Sequence, residues 1–386
     1  MRFISSLILL RSSIILIGFS LFVWPTIAIA DTEADKDKEK ENHYEQLWDL
    51  ATLYKNDTNP IIEEFKLRGR YQNQYFWLNS DRGDRDFLEN RRSRFGFDAW
   101  LFGGAIEVQL DAQSNSQFHP LYDGLVDSYI RWNATDTFSL TFGKQKPQIG
   151  YYDWLQSSNA QPTFERSQIF NQLNVNRLTG IVAEGGIDRF SWQSGLYSND
   201  TNREFGHFDG GLSIGAGIGY NFKESLGISK ADWRFDWLHS NSNSADTVLN
   251  RYDNLLSSTV WLDNGQWGFV GEAFLGIGKL PDVFGYYLQP TYDLIPHLLQ
   301  AVGRYSFAIG DGGQSVFLQS RYETTASNLA GANTGRIYQA VYLGLQYFLY
   351  GNQLKLMMGA EYSRLDGGTS GGFNGLTFLN GIRLSF

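Results

Sequence analysis

From Glu64 to the end of the chain, apolar and polar residues alternate with a period of two. In Phe65-Lys66-Leu67-Arg68-Gly69-Arg70-Tyr71-Gln72 the apolar or small residues take the odd positions and the polar ones the even positions. A strand with one face on lipid and the other on water requires this pattern. It returns at Ser93 to Leu101, Ile106 to Leu110, Val126 to Trp132, Phe138 to Phe142, Trp233 to Trp237, Val341 to Leu349 and Leu354 to Tyr362. Turn signals separate the strands. They are short at Phe102-Gly104, Ala134-Thr137, Gly185-Asp188, Asp263-Gln266 and Tyr350-Gln353, and long at 79–87, 112–123, 147–176, 199–211 and 241–252. Short turns on one side and long loops on the other are the asymmetry of a transmembrane barrel. Asn264-Gly265 is the clearest hairpin turn, since both residues tolerate positive φ.

A simple count gives about seventeen strands, an odd number that cannot return both chain ends to the same side. Tyr350-Gln353 must be a short turn, so one segment between His297 and Gly335 is not a wall strand. Demoting Ser315 to Glu323 to an extension within a long loop restores the order. The sequence thus predicts an all-β fold, a transmembrane antiparallel up-and-down β-barrel of about 16 strands, with 18 as the alternative.

The barrel is assigned to residues 61–386, after two other segments. Residues 1–30 read as a signal peptide, with Arg2 and Arg11, an apolar run from Ser13 to Ile29, and Ala28-Ile29-Ala30 as a small-x-small cleavage site. A retained anchor is the alternative, but no Lys/Arg-rich stop-transfer signal follows. Residues 31–60 read as a charged leader, Asp31 to Asn42, and a short periplasmic helix. In that helix Leu47, Leu50, Ala51 and Tyr54 recur at helical spacing until Asn59-Pro60. The helix is expected to dock on the barrel, with a plug or coiled-coil arm as the sharper alternative.

Composition supports export to a membrane. The chain holds 28 Phe, 21 Tyr and 11 Trp, with 41 Gly and only 8 Pro, the balance of a barrel with a lipid-facing outer wall. With no Cys there is neither a disulfide framework nor a thiolate metal site. Residues 1–30 carry two arginines and no acid, so without them the balance is 30 basic against 41 acidic residues, a formal charge of −11. That charge argues against nucleic acid as a partner. Catalytic motifs are missing too. His43, His119, His207, His239 and His297 fall in the leader, in loops or at strand ends, with no HExxH and no GxSxG. Gly215-Ala216-Gly217-Ile218-Gly219 lies inside an alternating strand and reads as close packing. No enzyme activity, cofactor or metal is expected.

Several segments in order resemble one family. Arg91-Arg92-Ser93-Arg94-Phe95-Gly96-Phe97, followed by Leu101-Phe102-Gly103, resembles the early Arg-Arg-x-Arg hairpin of the phosphate-selective porin O and P family. Asp127-Ser128-Tyr129-Ile130 is similar to its Asp-Ala-Tyr strand, and Phe142-Gly143-Lys144-Gln145-Lys146-Pro147 to its Gly-Gln-x-Lys-x-Pro strand end. Phe164-Glu165-Arg166-Ser167 resembles the Glu-Arg-Ser segment of its third loop. The resemblance implies a trimeric porin of the bacterial outer membrane, its third extracellular loop folded inward to narrow the channel. The ending Ile382-Arg383-Leu384-Ser385-Phe386 also resembles the C-terminal signal read by the barrel-assembly machinery.

Alternation then names candidate functional residues. If Leu67 faces lipid, Lys66, Arg68, Arg70, Gln72 and Gln74 face the lumen. Asn90, Arg92, Arg94 and Asp98 follow on the next strand, and Asp127 and Arg131 two strands further on. A lumenal row of Arg and Lys lowers the energy of an anion in transit, and several weak sites let it leave again. Acids such as Glu107, Asp111, Glu272 and Glu361 are expected to face that patch. The loop from Lys146 to Asn171 is the candidate constriction, with Lys146, Tyr151, Tyr152, Asp153, Trp154, Glu165 and Arg166 as its notable side chains. Three readings follow: passive diffusion of small hydrophilic solutes and ions, possible anion preference included; a specific channel for phosphate-like anions or oligosaccharides; and a non-conducting adhesin or structural barrel.

Overall fold

A computed structural model describes residues 43–200, 204–208, 210–241, 249–367 and 371–386. The expected signal peptide and the expected leader to residue 42 lie outside the described residues. Among the described residues no helix is long and apolar enough to cross a membrane; the chain crosses with strands.

Sixteen antiparallel strands close into one ring. They are β2 (Ile62–Ser80), β3 (Arg85–Leu101), β4 (Ile106–Gln113), β5 (Leu125–Thr135), β6 (Phe138–Gln145), β7 (Leu178–Ile187), β8 (Phe190–Ser198) and β9 (Leu212–Asn221). The ring continues through β10 (Lys230–Asn241), β11 (Asn254–Asp263), β12 (Trp267–Ile277), β13 (Val283–Ile295), β14 (Leu299–Gly310), β17 (Ile337–Tyr350), β18 (Leu354–Asp366) and β19 (Phe373–Ser385). Each strand pairs with the next, and β19 pairs back onto β2, from Gly375 opposite Ser80 to Ser385 opposite Arg70. Closure leaves no unpaired edge, the condition for a sheet to span hydrocarbon.

The demoted segment sits where the loop order requires. β15 (Val316–Phe317) and β16 (Thr334–Gly335) form a separate two-stranded patch inside the connection between β14 and β17. The expected loop at 79–87 differs: β2 and β3 continue to Ser80 and from Arg85, leaving only residues 81–84 as a turn. Beyond the lipid a strand can carry charge on both faces, so Arg85 and Asp86 do not end it. The Asn264-Gly265 turn is three residues long rather than two. Gly265 alone takes positive φ, +93°, while the Asn264 Oδ1 accepts from the Gln266 and Trp267 amides at 3.0 and 2.8 Å.

The N-terminal segment also departs from expectation. Residues 44–49 are helical (α1), but Tyr54 belongs to β1 (Thr52–Lys55), which pairs with β2 at Thr52–Lys66 and Lys55–Glu64. Along β2 the partner changes where β19 runs out: Gly69 exchanges backbone hydrogen bonds with Phe386, and the Leu67 amide donates to Ala51. A ready strand edge thus captured residues that helical spacing alone left free. Trp48 fixes the segment by donating from Nε1 to the Ser385 carbonyl at 2.6 Å and packing with Tyr44 and Tyr350.

The buried core lies inside the ring. Residues 146–177 and 311–336 enter the lumen and pack against the inner faces of β10 to β19, where Trp154, Phe170, Phe274, Tyr287, Tyr322 and Tyr338 form part of one buried cluster.

Candidate functional site: a basic channel beside two inserted loops

The constriction-loop segment is held on both sides of the lumen by side chains that alternation points inward. On one side Gln72 donates to Ser158 Oγ and Asn159 Oδ1 at 3.0 and 2.5 Å. On the other, the Glu272 carboxylate of β12 accepts the amides of Tyr152 and Asp153 at 3.1 and 2.9 Å. Arg304 of β14 donates to Thr163 Oγ1 and the Glu165 carbonyl at 2.9 and 2.8 Å, and Arg383 of β19 to the Phe164 carbonyl at 2.7 Å. Helix α2 (Gln168–Leu173), capped by Ser167 Oγ, then meets the second loop through Gln168 to Phe317 and Gln172 to Ser315.

What stays open is a cavity of about 1070 Å³ along the wall from β2 to β8, lined by twelve basic side chains against three acidic ones. At the extracellular end Asp123 and Asn176 line it. A second cavity of about 870 Å³, reaching the turns at Gly103 and Thr137, shares Arg131, Glu184, Gln193 and Arg234 with the first. The two together trace a path along one wall from the loops to the periplasmic turns.

Among the expected basic residues, Arg68, Arg70, Arg92, Arg94 and Arg131 line this cavity. Lys66 does not; it lies lower, between Asp98 of β3 and Thr52 of β1. Many of the cations are already neutralised. Arg68 pairs with Asp98 at 2.5 Å and Asp111 at 3.0 Å, Arg131 with Glu184 at 3.4 Å, Arg177 with Asp127 at 2.8 Å, and Arg321 with Glu89. Arg70, Arg92 and Arg94 make no ion pair among the described residues. Arg70 and Arg94 are direct cross-strand partners, a like-charge placement that disfavours the empty wall. Arg70 donates to Ser157 and Ser158 Oγ, both at 3.2 Å, and Arg92 to Gln72 at 2.8 Å. Three uncompensated guanidiniums and two serine hydroxyls from the loop thus surround one stretch of lumen, a donor set that suits an anion.

The loop residues divide by direction. Lys146, Tyr151, Trp154 and Arg166 line the cavity, whereas Tyr152, Asp153 and Glu165 are turned into the packing. Lys146 Nζ donates to the carbonyls of Trp154, Leu155 and Gln156 at 2.8, 3.1 and 3.0 Å, shaping the turn that presents the serines. Its pKa is pushed well below the ordinary lysine value by burial and by Arg177 and Arg166. Arg166 is lowered to about 10 by burial, and its Nε donates to the Asp153 carbonyl at 2.7 Å. Burial raises the Asp153 pKa although Ser167 donates to its carboxylate through both amide and hydroxyl. Burial would also raise Glu165, but Arg91, bidentate at 2.6 and 2.8 Å, holds it well below the carboxylate range.

Two expectations are corrected. Glu272 and Glu361 do not face the basic patch across open water; both are buried under the inserted loops, so no transverse field from them crosses the cavity. Asn90 does not point inward. Between Gln72 and Asn73 the register with β3 skips Arg91, so Asn90 pairs with outward Asn73 while Arg91 turns to Glu165. A bulge shifts the alternation by one residue, which hid Arg91. Arg234 was legible in Trp233-Arg234-Phe235; Arg177 and Arg321, in loops without periodicity, were not. Among the described residues no group of three or more His, Asp or Glu side chains is placed to hold a metal.

Comparison with known proteins gives the same picture. The family model for phosphate-selective porin O and P matches residues 65–237. No curated protein matches the sequence. Solved structures do match the fold. OprB of Pseudomonas putida has a TM-score of 0.61 at 12% identity, over 83% of this chain and 94% of that one. The anion-selective porin of Comamonas acidovorans gives 0.57 at 12% identity, over 83% and 99%. The outer membrane channel DcaP of Acinetobacter baumannii gives 0.54 at 12% identity, over 86% and 100%. Residues 65–237, a little under half of the chain, thus match the phosphate-selective porin O and P family, and the barrel as a whole has the fold of known porins.

Proposed function

We propose that the barrel lets small hydrophilic solutes and ions diffuse passively across the bacterial outer membrane and favours anions. The carrying observation is the excess of twelve basic over three acidic side chains along the cavity. Passage needs no covalent step, so the protein acts as a channel rather than an enzyme. Arg70, Arg92 and Arg94 supply the attraction. Because they stand apart from the ion-paired arginines, an anion exchanges between fixed donors without first breaking a salt bridge.

Phosphate-like anions are the specific substrates best supported, since the trio and the Ser157 and Ser158 hydroxyls offer several donors around one point and the matched family is phosphate-selective. The oligosaccharide reading has less support: Trp154 reaches the cavity only at its margin, with its ring stacked on Phe170 at 5.4 Å and covered by Lys146, Arg166 and Arg177, which leaves little face for a sugar. The chain is further proposed to be exported by residues 1–30, to be assembled through Phe386 by the barrel-assembly machinery, and to act as a homotrimer in the bilayer.

The test is reversal potential in planar bilayers under a KCl gradient, for the wild type and for Arg92→Ala and Arg94→Ala. An anion-side potential that falls in both variants is expected. A cation-side potential in the wild type overturns the anion preference, and silent barrels would return the adhesin reading.

A further inference from the structure

Along β9 the outward positions carry Ile214, Ala216 and Ile218, while the inward positions 215, 217 and 219 are all glycine and all buried. Glycine weakens a strand, so a bare row inside one marks a close approach by something else. Polar side chains of the neighbouring strands take the space. Gly217 is the cross-strand partner of Gln193 of β8 and Asp236 of β10, and Gly219 that of Ser191 and Arg234. Arg234 Nε donates to Asp236 Oδ1 at 2.7 Å, the Gln193 amide donates to the same oxygen at 3.4 Å, and Asp236 Oδ2 accepts from Ser257 at 3.4 Å. Tyr151 of the constriction loop packs on the guanidinium, whose carbon lies 5.3 Å from the ring centre. Arg234 Nη2 is buried without a hydrogen-bond partner among the described residues, so shape rather than bonding fixes how far that end sits back from the lumen.

The position of this cluster gives it a consequence. Arg131, Glu184, Gln193 and Arg234 are the side chains common to the two cavities, and two of these four lie over Gly217. A Cβ on Gly217 would stand 2.8 Å from Arg234 Nη2 and 3.1 Å from Gln193 Nε2, and would overlap Asp236 Oδ1. Each of these atoms is the free end of a side chain rather than backbone, so the strand can accept the added carbon only by sending them toward the lumen. We propose that Gly217 is a seat that recesses Arg234, and that this bare stretch of β9 sets the opening between the two cavities, which makes Arg234 a second size- and charge-determining residue for anions, separate from Arg70, Arg92 and Arg94. This rests on the channel reading and adds a second determinant lower on the same path. A guanidinium lifted from its seat narrows the opening while keeping its charge beside the passing anion.

Full-length wild type, Gly217→Ala, Arg234→Ala and the double variant would be compared in planar bilayers under a KCl gradient. Gly215→Ala serves as control, because its added carbon meets Leu238 and Tyr197 only at 3.4 Å, an ordinary contact. Gly217→Ala should lower single-channel conductance without loss of anion preference, and Arg234→Ala should raise conductance and weaken that preference. In the Arg234→Ala background Gly217→Ala should lose most of its effect, the non-additivity of two residues in contact. Unchanged conductance in Gly217→Ala, an equal loss with and without Arg234, or the same loss in Gly215→Ala would each overturn the proposal. Folding is read from the heat-dependent gel mobility of the barrel. Should Gly217→Ala fail to fold, Arg234→Ala decides, since wild-type conductance and reversal potential in that variant would equally overturn it. A conducting wild type with indifferent variants would sink the seat and leave the channel standing, whereas a silent wild type would sink both.

Discussion

Glu165 ties the constriction loop to the wall through one side chain. Its carboxylate takes both arms of Arg91 and accepts from Gln74 at 3.1 Å. Breaking a buried pair from one side costs about 3–5 kcal/mol, because the remaining charge is left desolvated and alone. Glu165→Gln should therefore lower the thermal midpoint of the refolded barrel and add open-channel noise, read by circular dichroism and single-channel recording. A quiet channel of unchanged stability would show that the pair does not hold the loop. The pair was half-legible in the sequence. Arg92 and Arg94 follow from period two, but the bulge that frees Arg91 depends on how β2 and β3 register, which one strand's residues do not encode. Glu165 was visible as a loop acid, but its partner, 74 residues away, was not.

At the scale of elements, the two inserted loops respond oppositely to pH. Glu165 has a depressed pKa, so its pairing is present above the ordinary glutamate value and lost only as pH falls through the much lower folded value. Glu323, in the second loop, is raised to about 7 by burial and by Glu361 nearby. Tyr338 and the Gln319 amide donate to it, and Arg304, bound to Glu361 at 3.1 Å, is the cation facing the pair. A raised carboxyl pKa stabilises the docked loop fully below about pH 4.3 and loses that contribution as pH climbs through about 7. Single-channel conductance should hence rise or flicker between pH 6 and pH 8, and Glu323→Gln should flatten the change; a pH-independent wild type would count against the loop as the titrating element. Sequence alone placed this stretch outside the wall by strand parity. It could not show that the loop turns inward, because burial of Tyr322 and Glu323 depends on Tyr338 and Glu361 from strands that begin beyond it.

For the whole molecule, the loops decide how wide a sixteen-stranded ring is allowed to conduct. Strand number and lipid-facing alternation were legible because each strand states them locally, whereas the filled half of the lumen is a property of loops meeting distant walls. Together the two loops cover β10 to β19 and confine the solute to the arginine side, within reach of Arg70, Arg92 and Arg94. Fixed charges act over about 10 Å at 0.1 M salt, so a narrow path beside them is selective and a wide one much less so. Replacing residues 312–334 by a short glycine turn should uncover Glu361 and open the covered wall. Conductance should then increase while the reversal potential moves toward zero, both read in the same bilayer experiment. If conductance rose with the anion preference intact, selectivity would reside in the Arg70–Arg94 wall alone, and the second loop would limit only size.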